Sequence, residues 1–282
     1  MNSMTKRLIV NADDYGHTKG TSEGIRRAHN LGIVSSTSVM INRPAARTEL
    51  EYIKSECPGL GVGLHLVITT GNPVLPPSAV STLVRPDGSF HKLDGLLEAI
   101  DRIDIDQVSA EWYAQVELFE KVTGQLPDHL DSHHHASYFT PALLEEMLLL
   151  AEDVNCPIRS PFNKEGDQAR SFLPEKLAGQ SIDDLTALID KFSPIRPKIF
   201  FDNFYGENAT RITLMEIFNR IETADDAETF EIMCHPAVVD DDLMQASAYN
   251  TGRGNELEIL TGPGLREELS RRGIQLITFG DL

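Results

Sequence analysis

Acidic and imidazole side chains recur where short apolar runs end. NADD closes the first such run with Asp13 and Asp14, GLHLV carries His65, DHLDSHHHAS holds Asp131 and His133, PIRS carries Arg159, and FEIMCH ends on His235. Two neutral imidazoles and one carboxylate from separate segments suit a catalytic divalent cation, because three protein donors leave positions for water or substrate. A cation held this way lowers the pKa of its water and polarises a carbonyl, while a carboxylate outside the donor set takes the proton. Adjacent Asp13 and Asp14 can divide those two roles, and His235 can protonate a leaving group. The chemistry expected is metal-assisted hydrolysis of an amide or ester. Taken singly, each residue has a plainer reading: a strand-end histidine usually serves structure, and paired aspartates often cap a helix. Arrival from five separate segments is what favours chemistry.

Side-chain alternation ranks the histidines. If residues 129–133 are extended, His129, Asp131 and His133 share one face, while Leu130 and Ser132 share the other. His133 is then the inward donor, with Asp131 supporting it, His134 pointing away and His135 unassigned. Gly61, Gly63 and His65 share a face too, so small residues leave room beside the His65 ring. Alternation separates Asp13 from Asp14 unless the backbone turns between them.

The elements that must position these residues are eight β-rich runs: 7–14, 35–42, 60–69, 128–134, 157–160, 198–204, 230–235 and 274–279. Helical stretches fall between most of them. Over 107–123, Val108, Trp112, Val116, Phe119 and Val122 recur at spacings of three and four, which predicts an amphipathic helix. Asp104 and Gln107 predict its capping box, Gly124 its stop, and Thr140 before Pro141 the start of another helix. Alternating strand and helix predicts an α/β fold with parallel strands: a TIM-barrel-like (β/α) barrel of seven or eight strands, irregular or incompletely closed. An open doubly wound sheet is the competing architecture. In a barrel, the carboxyl ends of the strands meet at one rim, where all the residues above would lie. Residues 1–282 are expected to form a single domain. Within it, 70–104 is too long for an ordinary connection and is expected to be an irregular lid or dimer-contact insertion.

With 43 acidic against 25 basic residues the formal net charge is -18, which argues against nucleic acid or an anionic membrane as partner and for a small molecule. The apolar run after MNSMTKR is too short for a signal peptide or membrane anchor, so a cytoplasmic location is expected. Cys57, Cys156 and Cys234 form no CxxC pair and are expected to be reduced, partly buried thiols.

NADDYG, GLHLV, HLDSHHH and MCHPA, in that order, resemble the successive motifs of the YdjC-like carbohydrate deacetylases, most closely the chitooligosaccharide (chitin disaccharide) deacetylases. IVSSTS, FYGE at 204–207, QASAY at 245–249 and ELEILT at 256–261 extend the resemblance over nearly the whole chain. It implies a barrel-like homodimer that uses one divalent metal ion to remove an N-acetyl group from an amino sugar, releasing acetate. The family implies magnesium, whereas the donor types suit zinc. By residue, Asp14, His65 and His133 match the metal ligands, Asp13 the base, and His235 the acid or transition-state stabiliser. Arg159 matches an arginine that orients Asp13 or the developing oxyanion, and Tyr205 is a candidate for contact with sugar. The expected substrate contains N-acetylglucosamine: chitobiose or a related chitooligosaccharide, with or without phosphate. Two readings compete with deacetylation. A metal-dependent sugar isomerase or epimerase would release no acetate, and a non-catalytic carbohydrate-binding protein would have lost the base or the ligands. Correspondence over 70–104 is confined to the turn RPDGSF, and RSPF departs from the chitobiose-type pattern after the shared arginine.

Overall fold

The computed structural model describes residues 5–162, 173–177 and 182–282. Its strands are β1 (Lys6–Tyr15), β2 (Ser36–Val39), β3 (Gly61–Leu66), β4 (Leu130–Ser132), β5 (Ile199–Phe201), β6 (Thr229–Cys234) and β7 (Ile274–Leu276). The sheet runs in the order β4-β3-β2-β1-β6-β5, with β7 paired to β1. The pairings of β1 with β2, β6 and β7, of β3 with β4 and of β5 with β6 are parallel, as expected of the irregular (β/α) barrel class. Along β1, Leu8, Ile9 and Val10 are consecutive and fully buried, because a parallel strand is covered on both faces.

Crossovers are supplied by α1 (Lys19–Leu31), α2 (Ala46–Glu56), α3 (Leu93–Ala99), α4 (Ile105–Thr123), α5 (Pro141–Val154), α6 (Ile182–Phe192), α7 (Arg211–Thr223), α8 (Asp241–Ala246), α9 (Thr251–Leu260) and α10 (Leu265–Arg271). None of the described helices is long and apolar enough to cross a membrane. The chain forms two compact units, each assembled from separate segments. The first takes residues through Val39, Ala45–Val62 and Arg196–Leu282, and the second takes Met40–Pro44 and Gly63–Ile195. In the first, Ile9, Ile277 and Phe279 form a buried cluster with Leu282 against it. In the second, α4 packs on α5, with Val108, Trp112 and Phe119 of α4 and Leu144 and Leu148 of α5 all buried.

The run at 157–160, expected as a strand, makes a single bridge, Leu130 to Ile158. Pro157 and Pro161 bracket it, and a residue without an N–H cannot extend a ladder. Helix α5 begins as expected, with the Thr140 side chain accepting from Leu143 N. Helix α4 stops at Gly124, whose φ of 79° is left-handed, a conformation that costs glycine little. Asp104 caps the helix, but the expected capping box does not form. Asp104 accepts from Asp106 N, but the Gln107 side-chain oxygen accepts from Thr82 N at 2.9 Å instead of reaching back to Asp104 N.

That diversion corrects the reading of 70–104 as irregular. The segment contains α3 and an antiparallel bridge between Val84 and Phe90. It is also tied to α4: Glu111 accepts from Val74 N at 2.8 Å and Leu75 N at 3.0 Å. Gln115 holds Val67 through both its N–H and its C=O. Glu111 and Gln115 are fully buried, so this polar stripe of α4 faces chain rather than solvent. Burial pushes the Glu111 carboxyl above its ordinary range, against the pull of those hydrogen bonds.

Gly63 of β3 has a direct structural consequence. A Cβ there would lie 2.2 Å from the His129 imidazole, so the room left by this glycine is filled by that ring. Gly63→Ala is expected to destabilise the fold by about 1–3 kcal/mol through overpacking, read as a lower urea midpoint. An unchanged midpoint would show that the His129 ring is not packed there.

Candidate active site

In the first unit, β1 delivers Asp13 and Asp14, both buried. Asp14 has φ 72°, and the β1–β2 register shifts between Ala12 and Tyr15. The alternation that would separate the two acids is therefore broken between them, by a conformation that aspartate tolerates better than most residues. Asn11 donates from its side-chain nitrogen to Asp13 Oδ1 at 2.8 Å, and His235 Nε2 lies 3.9 Å from Asp13 Oδ2. Arg253 of α9 donates to Asp14 Oδ2 at 2.7 Å.

His235 stands one residue beyond β6, and its backbone N–H donates to Glu256 of α9. The Tyr249 hydroxyl also donates to Glu256, and accepts from Gly206 N at 3.1 Å. The Tyr205 ring lies 4.2 Å from the Tyr249 ring and 5.3 Å from that of His235, with 43% of the residue exposed. Such a ring, open on one side and backed by aromatics, is suited to receive a sugar face. Burial pushes the Glu256 carboxyl up to about 7, against the lowering influence of Tyr249, the His235 N–H and Arg253. Burial raises the Tyr205 and Tyr249 hydroxyls as well.

In the second unit, β3 and β4 set His65 directly opposite Asp131. Cross-strand partners of this kind lie on one face, and the His65 Nδ1 to Asp131 Oδ1 distance is 2.7 Å. Arg159 NH1 approaches the other carboxylate oxygen of Asp131 at 3.0 Å, with both side chains fully buried. Arg159 thus backs Asp131, which in turn backs His65. An imidazole bound through Nδ1 to a carboxylate has its tautomer fixed and presents Nε2 to a cation.

His133 follows. The extended reading of 129–133 holds only through Ser132, where β4 ends; His133 opens a turn in which His134 and His135 both have φ of 57°. The His133 ring nevertheless stands edge-on to that of His65 at 5.3 Å. His134 Nδ1 lies 3.0 Å from Thr69 Oγ1, and His135 is near Tyr138. His129 pairs with Asp128 at 2.6 Å. Among the described residues, the buried side chains of the type that can hold a divalent cation are Asp13 and Asp14 in the first unit and His65, Asp131 and His133 in the second, His65 being common to the sets Asp14, His65, His133 and Asp13, His65, Asp131.

Burial alone would raise the Asp131 carboxyl, but the charges of His65 and Arg159 and the His65 hydrogen bond outweigh it. They hold the group well below the usual carboxylate range. A depressed carboxyl adds stability that is complete above its unfolded value of about 3.9 and is lost as pH falls below it. Asp131→Asn should therefore cost about 3 kcal/mol near neutrality, by leaving Arg159 without its counter-charge. Urea unfolding should show the difference from the parent protein narrowing below pH 4; a difference constant down to the acid limit would contradict this.

A parallel α/β sheet with carboxylates and imidazoles at its strand ends defines the class of the protein, an irregular (β/α) barrel. Residues 7–271 match the profile of the YdjC-like protein family, and the chain belongs to that family. It is 36% identical over 276 residues to a carbohydrate deacetylase of Geobacillus stearothermophilus, covering 98% of each chain. It is 33% identical to a chitooligosaccharide deacetylase of Yersinia enterocolitica, covering 99% of this chain and all of the other. Among solved structures it resembles an Enterococcus faecalis protein proposed to cleave cellobiose phosphate, with TM-score 0.85, 30% identity and 98% of each chain covered.

Tyr249, Arg253 and Glu256 had no role in the sequence reading, although QASAY and ELEILT were already matched motifs. In the sequence Arg253 and Glu256, one turn apart in a short helix, look like solvent-facing charges, and only the fold shows both to be buried. Charges are rarely fully buried unless paired. The three cysteines are free and buried.

Proposed function

We propose that the protein is a metal-dependent carbohydrate deacetylase that removes the N-acetyl group from an N-acetylglucosamine-containing oligosaccharide and releases acetate. Chitobiose or a related chitooligosaccharide, with or without phosphate, is the proposed substrate. Full-length similarity to carbohydrate and chitooligosaccharide deacetylases supports the reading. The observation that carries the metal is the buried chain His65–Asp131–Arg159, an imidazole oriented by a charge-compensated carboxylate. One carboxylate and two imidazoles fit a divalent cation, with Asp14, His65 and His133 as its holders.

When bound, such a cation supplies Lewis-acid polarisation of the acyl carbonyl and acidifies the attacking water. Asp13 takes the proton from that water, its carboxylate held for the purpose by Asn11. His235, beside Asp13, gives a proton to the departing amine. Arg159 serves by holding Asp131, and through it His65, in place. Tyr205 offers its exposed ring to the sugar. Zinc and magnesium both remain within this donor chemistry, and a homodimer with 70–104 as lid or contact is the proposed assembly.

Acetate release should be measured on chitobiose, its phosphate and longer chitooligosaccharides with metal-replete protein. Release from at least one of these is expected. No release from any, with isomerised sugar formed instead, would favour the isomerase reading and overturn this one.

A further inference from the structure

Glu256 is fully buried, and a buried carboxylate persists only where hydrogen bonds or charges compensate its lost hydration. Its two oxygens are divided between two donors: Oε1 accepts the Tyr249 hydroxyl, and Oε2 accepts the backbone N–H of His235. That N–H lies beyond the last residue of β6, where the strand ladder has ended. The backbone at His235 is thus held by a side chain from α9. Where the His235 ring stands follows from where its backbone is held: 3.9 Å from Asp13, with Tyr205 and Tyr249 edge-on at 5.3 and 6.0 Å. Tyr249 is held as tightly. Gly206 N donates to its hydroxyl, Arg253 Nε donates to its carbonyl at 2.8 Å, and a Cβ on Gly252 would fall 2.5 Å from its ring.

We propose that Glu256 is a positioning residue for the chemical step: by gripping the His235 N–H and the Tyr249 hydroxyl together, it aims the His235 imidazole at the departing amine. The inference rests on the reading of His235 as proton donor. A carboxylate serving stability alone would affect folding and any rate loss equally whether or not His235 is present. One that acts through His235 would lose its effect on rate once the imidazole is gone.

A double-mutant cycle in kcat for acetate release separates the two. Glu256→Gln keeps the shape but has one oxygen for two donors. It is expected to lower kcat about 10-fold or more, with KM changed less than about 2-fold, and to change kcat less than about 2-fold in a His235→Ala background. Equal falls in both backgrounds would overturn the proposal. Should Glu256→Gln fail to fold, Tyr249→Phe, which removes one donor and leaves the carboxylate, gives the same comparison. Its smaller loss must also vanish without His235, and additivity there overturns the proposal too. An inactive parent protein would instead overturn deacetylation itself, so the two failures are distinguishable.

Discussion

Asp13→Asn is expected to lower acetate release by about 10²–10⁴-fold while leaving bound metal at its parent level, the range lost when a positioned general base is removed. The substitution is nearly isosteric, and the side-chain oxygen of the new residue can still accept from Asn11, which donates to Asp13 Oδ1 at 2.8 Å. What disappears is the basicity of the carboxylate and its charge beside His235. Because Asp14 rather than Asp13 is assigned to the cation, metal content should hold. Parent-like turnover in the Asn variant would sink the base assignment, whereas loss of metal would show that the adjacent acids have exchanged roles.

Replacing His65 by Ala should remove bound metal altogether, and His133→Ala should do the same. Each change deletes one of three protein donors, which weakens the hold on the cation enough for dialysis to strip it. His65→Ala also strands Asp131, whose low pKa depends on that imidazole and on Arg159, so some loss of stability should accompany it. Asp131→Asn is the graded version. It keeps His65 but loosens its orientation, and a loss of about 10–100-fold in metal affinity is expected from disturbing such a supporting carboxylate. Metal analysis after dialysis reads all three. Stoichiometric metal in both His variants would refute the ligand assignment.

The positions of the strands and the site residues are legible in the sequence to different degrees, for physical reasons. Strand ends could be read because parallel strands are apolar runs, and the polar residue that stops each run is the one at the rim. Asp13, Asp14 and His235 are legible in this way, whereas His65 and Asp131 lie inside β3 and β4, one residue before their ends. Alternation gave His133 its rank over its neighbours, yet β4 ends at Ser132 and His134 and His135 take left-handed conformations, which no period-two pattern foretells. Nor does composition reveal φ 72° at Asp14, on which the placement of the paired acids depends. The eighth run was overcounted because Pro157 and Pro161 matter more to a ladder than the residues between them. Order within 70–104 was missed since Gln107, Glu111 and Gln115 look like the solvent face of α4; only the fold shows that they bind backbone N–H groups. Arg253 and Glu256 were hidden for the same reason. A charged residue in a helix reads as exposed until its partners are known.

The central claim is that a bound divalent cation and deacetylation belong to one site. Protein stripped with chelator should be titrated with zinc or magnesium while acetate release from the best chitooligosaccharide substrate is followed. The account predicts negligible release at zero metal, a linear rise, and a plateau at one equivalent per chain, with His65→Ala inactive throughout. Undiminished release from fully stripped protein would contradict it.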